Sequence, residues 1–264
     1  HMNDVRELLD TRRAKRAAQS LAQRVLGFDR YLRLFAVFKV RTIHRDTGES
    51  DVLRFAGLLP SDGVVRDIGA NVGIMTIHLA HAVPRGRVHS FEPMPENFST
   101  LLWLVDQYNA LNVTLHQIAL GDTEGELEMV MPEEDHVRMQ GLARVVGAND
   151  RYPEGEKQVG PVKRLDDHDF LRGAEVAGIK IDVEDFEQYV FEGGRDLIGR
   201  CLPPVYTELG QGENRARCIE FFEGLGYAIC VADGDRIVPH VEGAHSKHNF
   251  LMMPPGHPER PGLG

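Results

Sequence analysis

The sequence predicts a doubly wound α/β fold, a parallel sheet with helices on both faces. Two observations carry that prediction. Short β-rich runs ("GVVRDI", "GRVHSFE", "VTLHQIAL", "AGIKIDV", "PPVYTEL") alternate with stretches of helical period such as "NVGIMTIHLAHAV" and "PENFSTLLWLVDQYNAL". Parallel neighbours need such crossover helices between them. The first run also passes directly into a glycine-bearing turn, "DIGANVG", that opens the first of these helices.

Composition sets the outer bounds. With 264 residues, 42% hydrophobic and 27% charged, the chain reads as one soluble globular domain with an appendage. A core of that size needs no disulfide or structural metal. The net charge of −10 argues against nucleic acid as the main partner, because phosphate binding leaves a basic footprint. No apolar run is long enough to span a bilayer. Cys201, Cys218 and Cys230 show no C-x-x-C spacing, so they are expected to be ordinary thiols of a cytoplasmic protein.

Taken in order, His1 and Met2 read as a cloning remnant, outside the fold argument. Residues 3–60 read as an N-terminal helical cap, with "RRAKR" on a solvated face and "RYLRLFAVFKV" continuing it. An apolar, arginine-studded region ahead of a complete sheet is expected to be shared with a second copy in a homodimer. Residues 61–256 form the main domain. Within it, residues 124–163 break the alternation with two strands around a polar loop, an insertion placed above the carboxyl ends of the strands, where ligands sit in such sheets. "YAICVADGDRIVPH" carries a D-G hairpin turn, and "SKHNFLMMPPG" holds the last strand.

The turn needs a physical reason. Gly69 and Gly73 permit left-handed or crowded backbone and let a ligand approach closely. The helix behind them aims its first amides at that ligand. Alone, the two glycines make no more than a tight turn. A dinucleotide site would carry G-x-G-x-x-G, whereas here two glycines follow a carboxylate, Asp67. Glu92 ends the second run in "SFEP", about 20 residues on, where an acid accepts two ribose hydroxyls. A nucleoside ligand with positive charge and no phosphates satisfies all of these at once: S-adenosylmethionine.

At this point the chain resembles a family. "DIGANVGIMTIHLA", "FEPMPENFSTL", "IALGDTEG" and "IKIDVEDFEQYVFEGG" follow in order and are similar to the FkbM family of S-adenosylmethionine-dependent O-methyltransferases, over roughly residues 64–208, with "HNFLMMP" similar as well. Where the family reads D-x-E-G-x-E, this chain has "DVEDFE", so Asp185 replaces a glycine. The resemblance implies the Rossmann-like class I methyltransferase fold, a seven-stranded, mostly parallel sheet whose last strand is antiparallel. It implies that Asp67, Gly69, Asn71 and Gly73 cradle the methionine part of the cofactor. Glu92 would hold the ribose, Pro93 and Asn97 the adenine side, and Ala119 and Gly121 the adenine ring, with Asp122 as a turn residue.

Methyl transfer to oxygen needs alignment, water exclusion and a deprotonated acceptor. Asp182 and Glu208 end neighbouring runs, and Glu184 follows two residues on. Hard oxygen donors of this kind suit Mg²⁺, which would stabilise the acceptor oxyanion, so Asp182 and Glu208 are the expected catalytic and metal residues. Either acid has a plainer reading as a helix cap or loop acceptor, and Glu187 as a charge in a helix first turn. His136 in the inserted loop is the candidate base; His248 and Asn249 are further candidates, and His78 and His81 read as packing residues. The loop is polar and the chain only 7% aromatic, which favours a sugar or oligosaccharide acceptor over a polyketide or macrolide. The alternative of another class is a noncatalytic cofactor-binding protein.

Overall fold

The computed structural model describes residues 19–46, 48–134, 137–138, 144–145, 155–167, 175–243, 245 and 248–261. "RRAKR" and His136 lie outside them. The chain opens with a helical stretch, α1 (residues 19–26), followed by α2 (Phe28–Thr42), a short 3₁₀ turn (Ile43–Arg45) and α3 (Asp51–Ala56). The main alternation is β1 (Val64–Ile68), α4 (Ile74–Ala82), β2 (Arg87–Phe91), α5 (Pro95–Gln107) and β3 (Val113–His116). Five strands come next among the described residues: β4 (Ala119–Gly121), β5 (Gly125–Glu134) with the short β6 (Val137–Arg138) and β7 (Arg144–Val145), and β8 (Gly155–Arg164). The alternation resumes with β9 (Gly178–Ile181), α6 (Glu187–Gly193), α7 (Arg195–Cys201), β10 (Val205–Glu208) and α8 (Glu213–Gly224), and closes with β11 (Ala228–Asp233), β12 (Arg236–Pro239) and β13 (Asn249–Met253).

Among the described residues the main sheet runs β12-β11-β13-β10-β9-β1-β2-β3. β3, β2, β1, β9 and β10 are mutually parallel. β13 slots in antiparallel between β10 and β11. The expected seven strands are there, with the last in chain order antiparallel. An eighth is added because the D-G turn folds β12 back on β11.

The parallel strands are buried on both sides, and their residues alternate between two cores. Val65 and Val88 face a cluster with Phe55 and Leu79; Ile68, Phe91, Ile179 and Ile181 face one with Phe191, Leu197 and Phe222. Helix α2 lays Leu32 and Ala36 against Val72, Ile77 and Leu104 of the α4–α5 layer. The N-terminal helices therefore sit at the edge where the site lies.

The run "VTLHQIAL" does not form one strand. β3 ends at His116, and Ala119 turns away to pair with Val162 of β8. A second sheet results, in which β5 and β8 form a long antiparallel hairpin. The hairpin outcompetes β3 for these residues because it offers a full ladder of backbone partners. Met94, Ala119, Met129, Met131 and Val162 weld it to the main domain.

Candidate functional site

Four strands, β1, β2, β9 and β10, point their carboxyl ends at one edge and bring Asp67, Glu92, Asp182 and Glu208 to it. The turn after β1 holds three left-handed residues, Gly69 (φ 70), Asn71 (φ 51) and Gly73 (φ 93). At Gly69 the reason is sharp: an added Cβ would stand 1.9 Å from the Asp182 carbonyl oxygen, so only glycine lets the β1 and β9 ends meet this closely. The Gly69 and Ala70 amides donate to the Phe91 carbonyl at 3.0 and 2.9 Å, which fixes the turn to β2.

Glu92 is 4% exposed. One carboxylate oxygen accepts from the Asn71 amide at 2.8 Å and the other from the Met94 amide at 2.9 Å. Burial pushes its carboxyl up to about 7, against the pull of those amides. Glu92, Pro93, Asn97 and Ala119 line one cavity, together with Asn71 and the apolar side chains of Ile118, Met129, Val145 and Phe186. The Oδ1 atom of Asn71 is buried with no hydrogen-bond partner among the described residues. A buried carboxylate, an orphaned amide oxygen and apolar walls fit the ribose and base of a nucleoside.

Asp67 is placed differently from the expectation. It is 0% exposed and lines no cavity. Thr76 donates to its Oδ2 at 2.5 Å, and Lys180 Nζ lies 3.3 Å from its Oδ1. Lys180 also donates to the Gly69 carbonyl at 2.7 Å. Strand alternation explains this, since Asp67 shares the face of Val65, toward α4 and Thr76. Asp67 thus acts on the turn through Lys180. Burial alone would lower the Lys180 ammonium, but Asp67 and Asp182 outweigh that and raise it. Gly73 and Gly121 line neither cavity; Gly121 leaves room for Val162 and Phe186.

A second recess adjoins the first, and the two share Gly69, Asn71, Asp182 and Glu184. Glu208, Tyr206, Asn249, Lys180, Lys39 and Glu49 line its far side. Its acids crowd one another. Burial raises Asp182, Lys180 opposing. Burial and then Asp182 push Glu184 up to about 9 and Glu208, at the rim, to about 7. Glu184 and Asp185 both take left-handed backbone, φ 54 and 70, at the position where the family reads glycine. The loop is held from behind by Glu187, which accepts from the Val183 amide at 2.9 Å and from Asn214 Nδ2 at 2.7 Å. Burial and nearby acids raise the Tyr206 phenol, so it stays protonated.

The expected Mg²⁺ site is not supported by this donor set. Among the described residues no three His, Cys, Asp or Glu side chains converge on one point, and the Lys180 ammonium already faces Asp182. His248 spends its carbonyl on Leu209 and its ring on Arg215. Lys180, Tyr206, Lys39 and Glu49 were not singled out in the sequence. A lysine inside the apolar run "AGIKIDV" was the one available signal, since a buried lysine requires a partner.

The family described as "Methyltransferase FkbM domain" matches residues 67–237. Methyltransferase 1 of Beauveria bassiana is 28% identical over 200 residues, covering 69% of this chain and 79% of its own length. The 31-O-demethyl-FK506 methyltransferase FkbM of Streptomyces tacrolimicus is 32% identical over 211 residues, covering 70% and 79%. A solved methyltransferase FkbM from Methylobacillus flagellatus superposes with a TM-score of 0.50 at 16% identity, over 73% of this chain and 43% of that one, a likeness of fold.

Proposed function

The chain belongs to the FkbM family of S-adenosylmethionine-dependent methyltransferases, and from that premise we propose that it methylates a hydroxyl of a sugar or saccharide. The observation that supports this best is the junction of the two cavities. The nucleoside-shaped one opens, across Gly69, Asn71, Asp182 and Glu184, into a recess where Glu49, Glu208 and Asn249 stand beside the apolar Phe35, Val72, Ile74 and Met75.

S-adenosylmethionine supplies an electrophilic methyl group. On this reading Glu92 and Asn71 orient the nucleoside, and the turn tied by Lys180 and Asp67 holds the amino-acid end. The acceptor oxygen forms its C–O bond as the C–S bond breaks, and Glu208 takes up the proton with Asp182 orienting it. His136 is the second candidate for that proton, tested by its own alanine variant. A Mg²⁺ ion on Asp182 and Glu208 is the rival reading that the chelator arm below tests, and no step is routed through it.

The experiment is a methyl-transfer screen over neutral glycosides and macrolide alcohols, with and without chelator. Glycoside methylation that persists in chelator and is lost in Glu208→Gln is the expected result. Turnover of macrolides alone would move the assignment to the chemistry named for the Streptomyces relative, and loss in chelator would reinstate the metal.

The same reading includes a homodimer through Leu21 and Val25 of α1 and Leu34 and Phe38 of α2, all more than half exposed and spaced four residues apart. Light scattering at micromolar concentration should give twice the chain mass, and a monomer removes the dimer. Among the described residues no helix is long and apolar enough to cross a membrane. Cys201, Cys218 and Cys230 form no disulfide among the described residues, which supports a reducing, cytoplasmic setting.

A further inference from the structure

The second recess says more about the acceptor than that it carries a hydroxyl. Its two cations are already matched: Lys39 contacts Asp46 at 2.6 Å and Glu49 at 3.0 Å, and Lys180 contacts Asp67 at 3.3 Å. The carboxylates of Glu184 and Glu208, which line the same space, make no side-chain hydrogen bond or ion pair among the described residues. Tyr206 is 4% exposed and lines the recess. A phenol in the wall of a recess can donate one hydrogen bond to a bound group and accept another.

The wall opposite comes from a distant part of the chain. Lys39 holds Glu49 in place, and Asn249 Nδ2 donates to the Gly48 carbonyl, tying that loop to the head of β13. Carboxylates on two walls and a phenol between them accept hydroxyl protons and return one donor, which suits adjacent hydroxyls on a ring. An anionic group would add its charge to that of Glu49, Asp182 and Glu208, and among the described residues that line the recess both cations are already paired.

Resting on the saccharide reading above, we propose that this recess is an acceptor subsite for uncharged polyhydroxyl groups, built by Glu49, Tyr206, Glu208 and Asn249, and that it excludes phosphorylated and uronic sugars.

The test uses matched acceptors on the full chain with S-adenosylmethionine: a methyl glycoside, its 6-phosphate and the corresponding methyl uronide, product being measured by mass spectrometry. The neutral member should exceed each anionic one by roughly a hundredfold in kcat/KM at low salt. Glu49→Gln should narrow that gap by about tenfold. Tyr206→Phe should raise the acceptor KM about five- to tenfold while S-adenosylhomocysteine affinity, read by calorimetry, stays unchanged. Equal turnover of neutral and anionic members overturns this inference and leaves the saccharide reading standing. Turnover of no saccharide at all overturns both.

Discussion

Lys180→Met should lower the stability of the fold by about 3–5 kcal/mol, the range for removing one partner of a buried ion pair. Lys180 is 3% exposed and Asp67 is 0% exposed, so neither can turn to water for its missing contacts. The methionine would fill the space but leave Asp67 beside Asp182 with no positive charge between them. The Gly69 carbonyl would also lose its 2.7 Å donor. Urea unfolding at neutral pH measures the effect. A change below about 1 kcal/mol would show that the pair is not what holds the β1 and β9 ends together. Damage should extend to cofactor affinity, since the turn that Lys180 secures carries Asn71.

Glu92→Ala should weaken S-adenosylhomocysteine binding at least tenfold. Hydrogen bonds to a charged group contribute about 1.5–3 kcal/mol each, and two ribose hydroxyls are at stake. The amides of Asn71 and Met94 already hold the carboxylate in place. The pH dependence has a definite sign. Burial pushes the Glu92 carboxyl up to about 7. Only the ionised form accepts two hydroxyl protons, so affinity should rise as pH increases through about 7 and fall below it. Glu92→Gln should flatten that slope. Calorimetry from pH 6 to 8, with thermal unfolding as a control for the fold, checks both parts. Unchanged affinity in the alanine variant would remove Glu92 from the site.

The sequence made the strand-end acids legible because each stands where an apolar run stops. That placed Glu92, Asp182 and Glu208 at one edge before any coordinates. It left open the side on which Asp67 lies, because position at a strand end does not say which face a side chain takes. The β4 departure was hidden as well. "VTLHQIAL" is uniformly β-rich, and only the β8 partner, more than 40 residues away, decides where β3 stops. The acceptor wall was beyond reach for a related reason. Lys39 and Glu49, then Tyr206, then Asn249 come from three separate stretches of the chain, and no local pattern announces a contact between them. The left-handed Asp185 is the opposite case. The sequence flagged a residue standing where the family has glycine, and the backbone there keeps the glycine-like φ of 70. Aspartate is among the few residues that tolerate it.

The two cavities touch along Gly69, Asn71, Asp182 and Glu184 and otherwise draw on different parts of the chain. Among the described residues, Met129 of β5 and Val145 of β7 line the first and not the second, and Phe35, Lys39 and Glu49 line the second and not the first. Donor recognition and acceptor recognition are therefore separable traits that a lineage, or an engineer, can alter one at a time. A chimera carrying a relative's version of residues 28–56 should change which alcohol is methylated and keep S-adenosylhomocysteine affinity. Exchange of the hairpin should do the reverse.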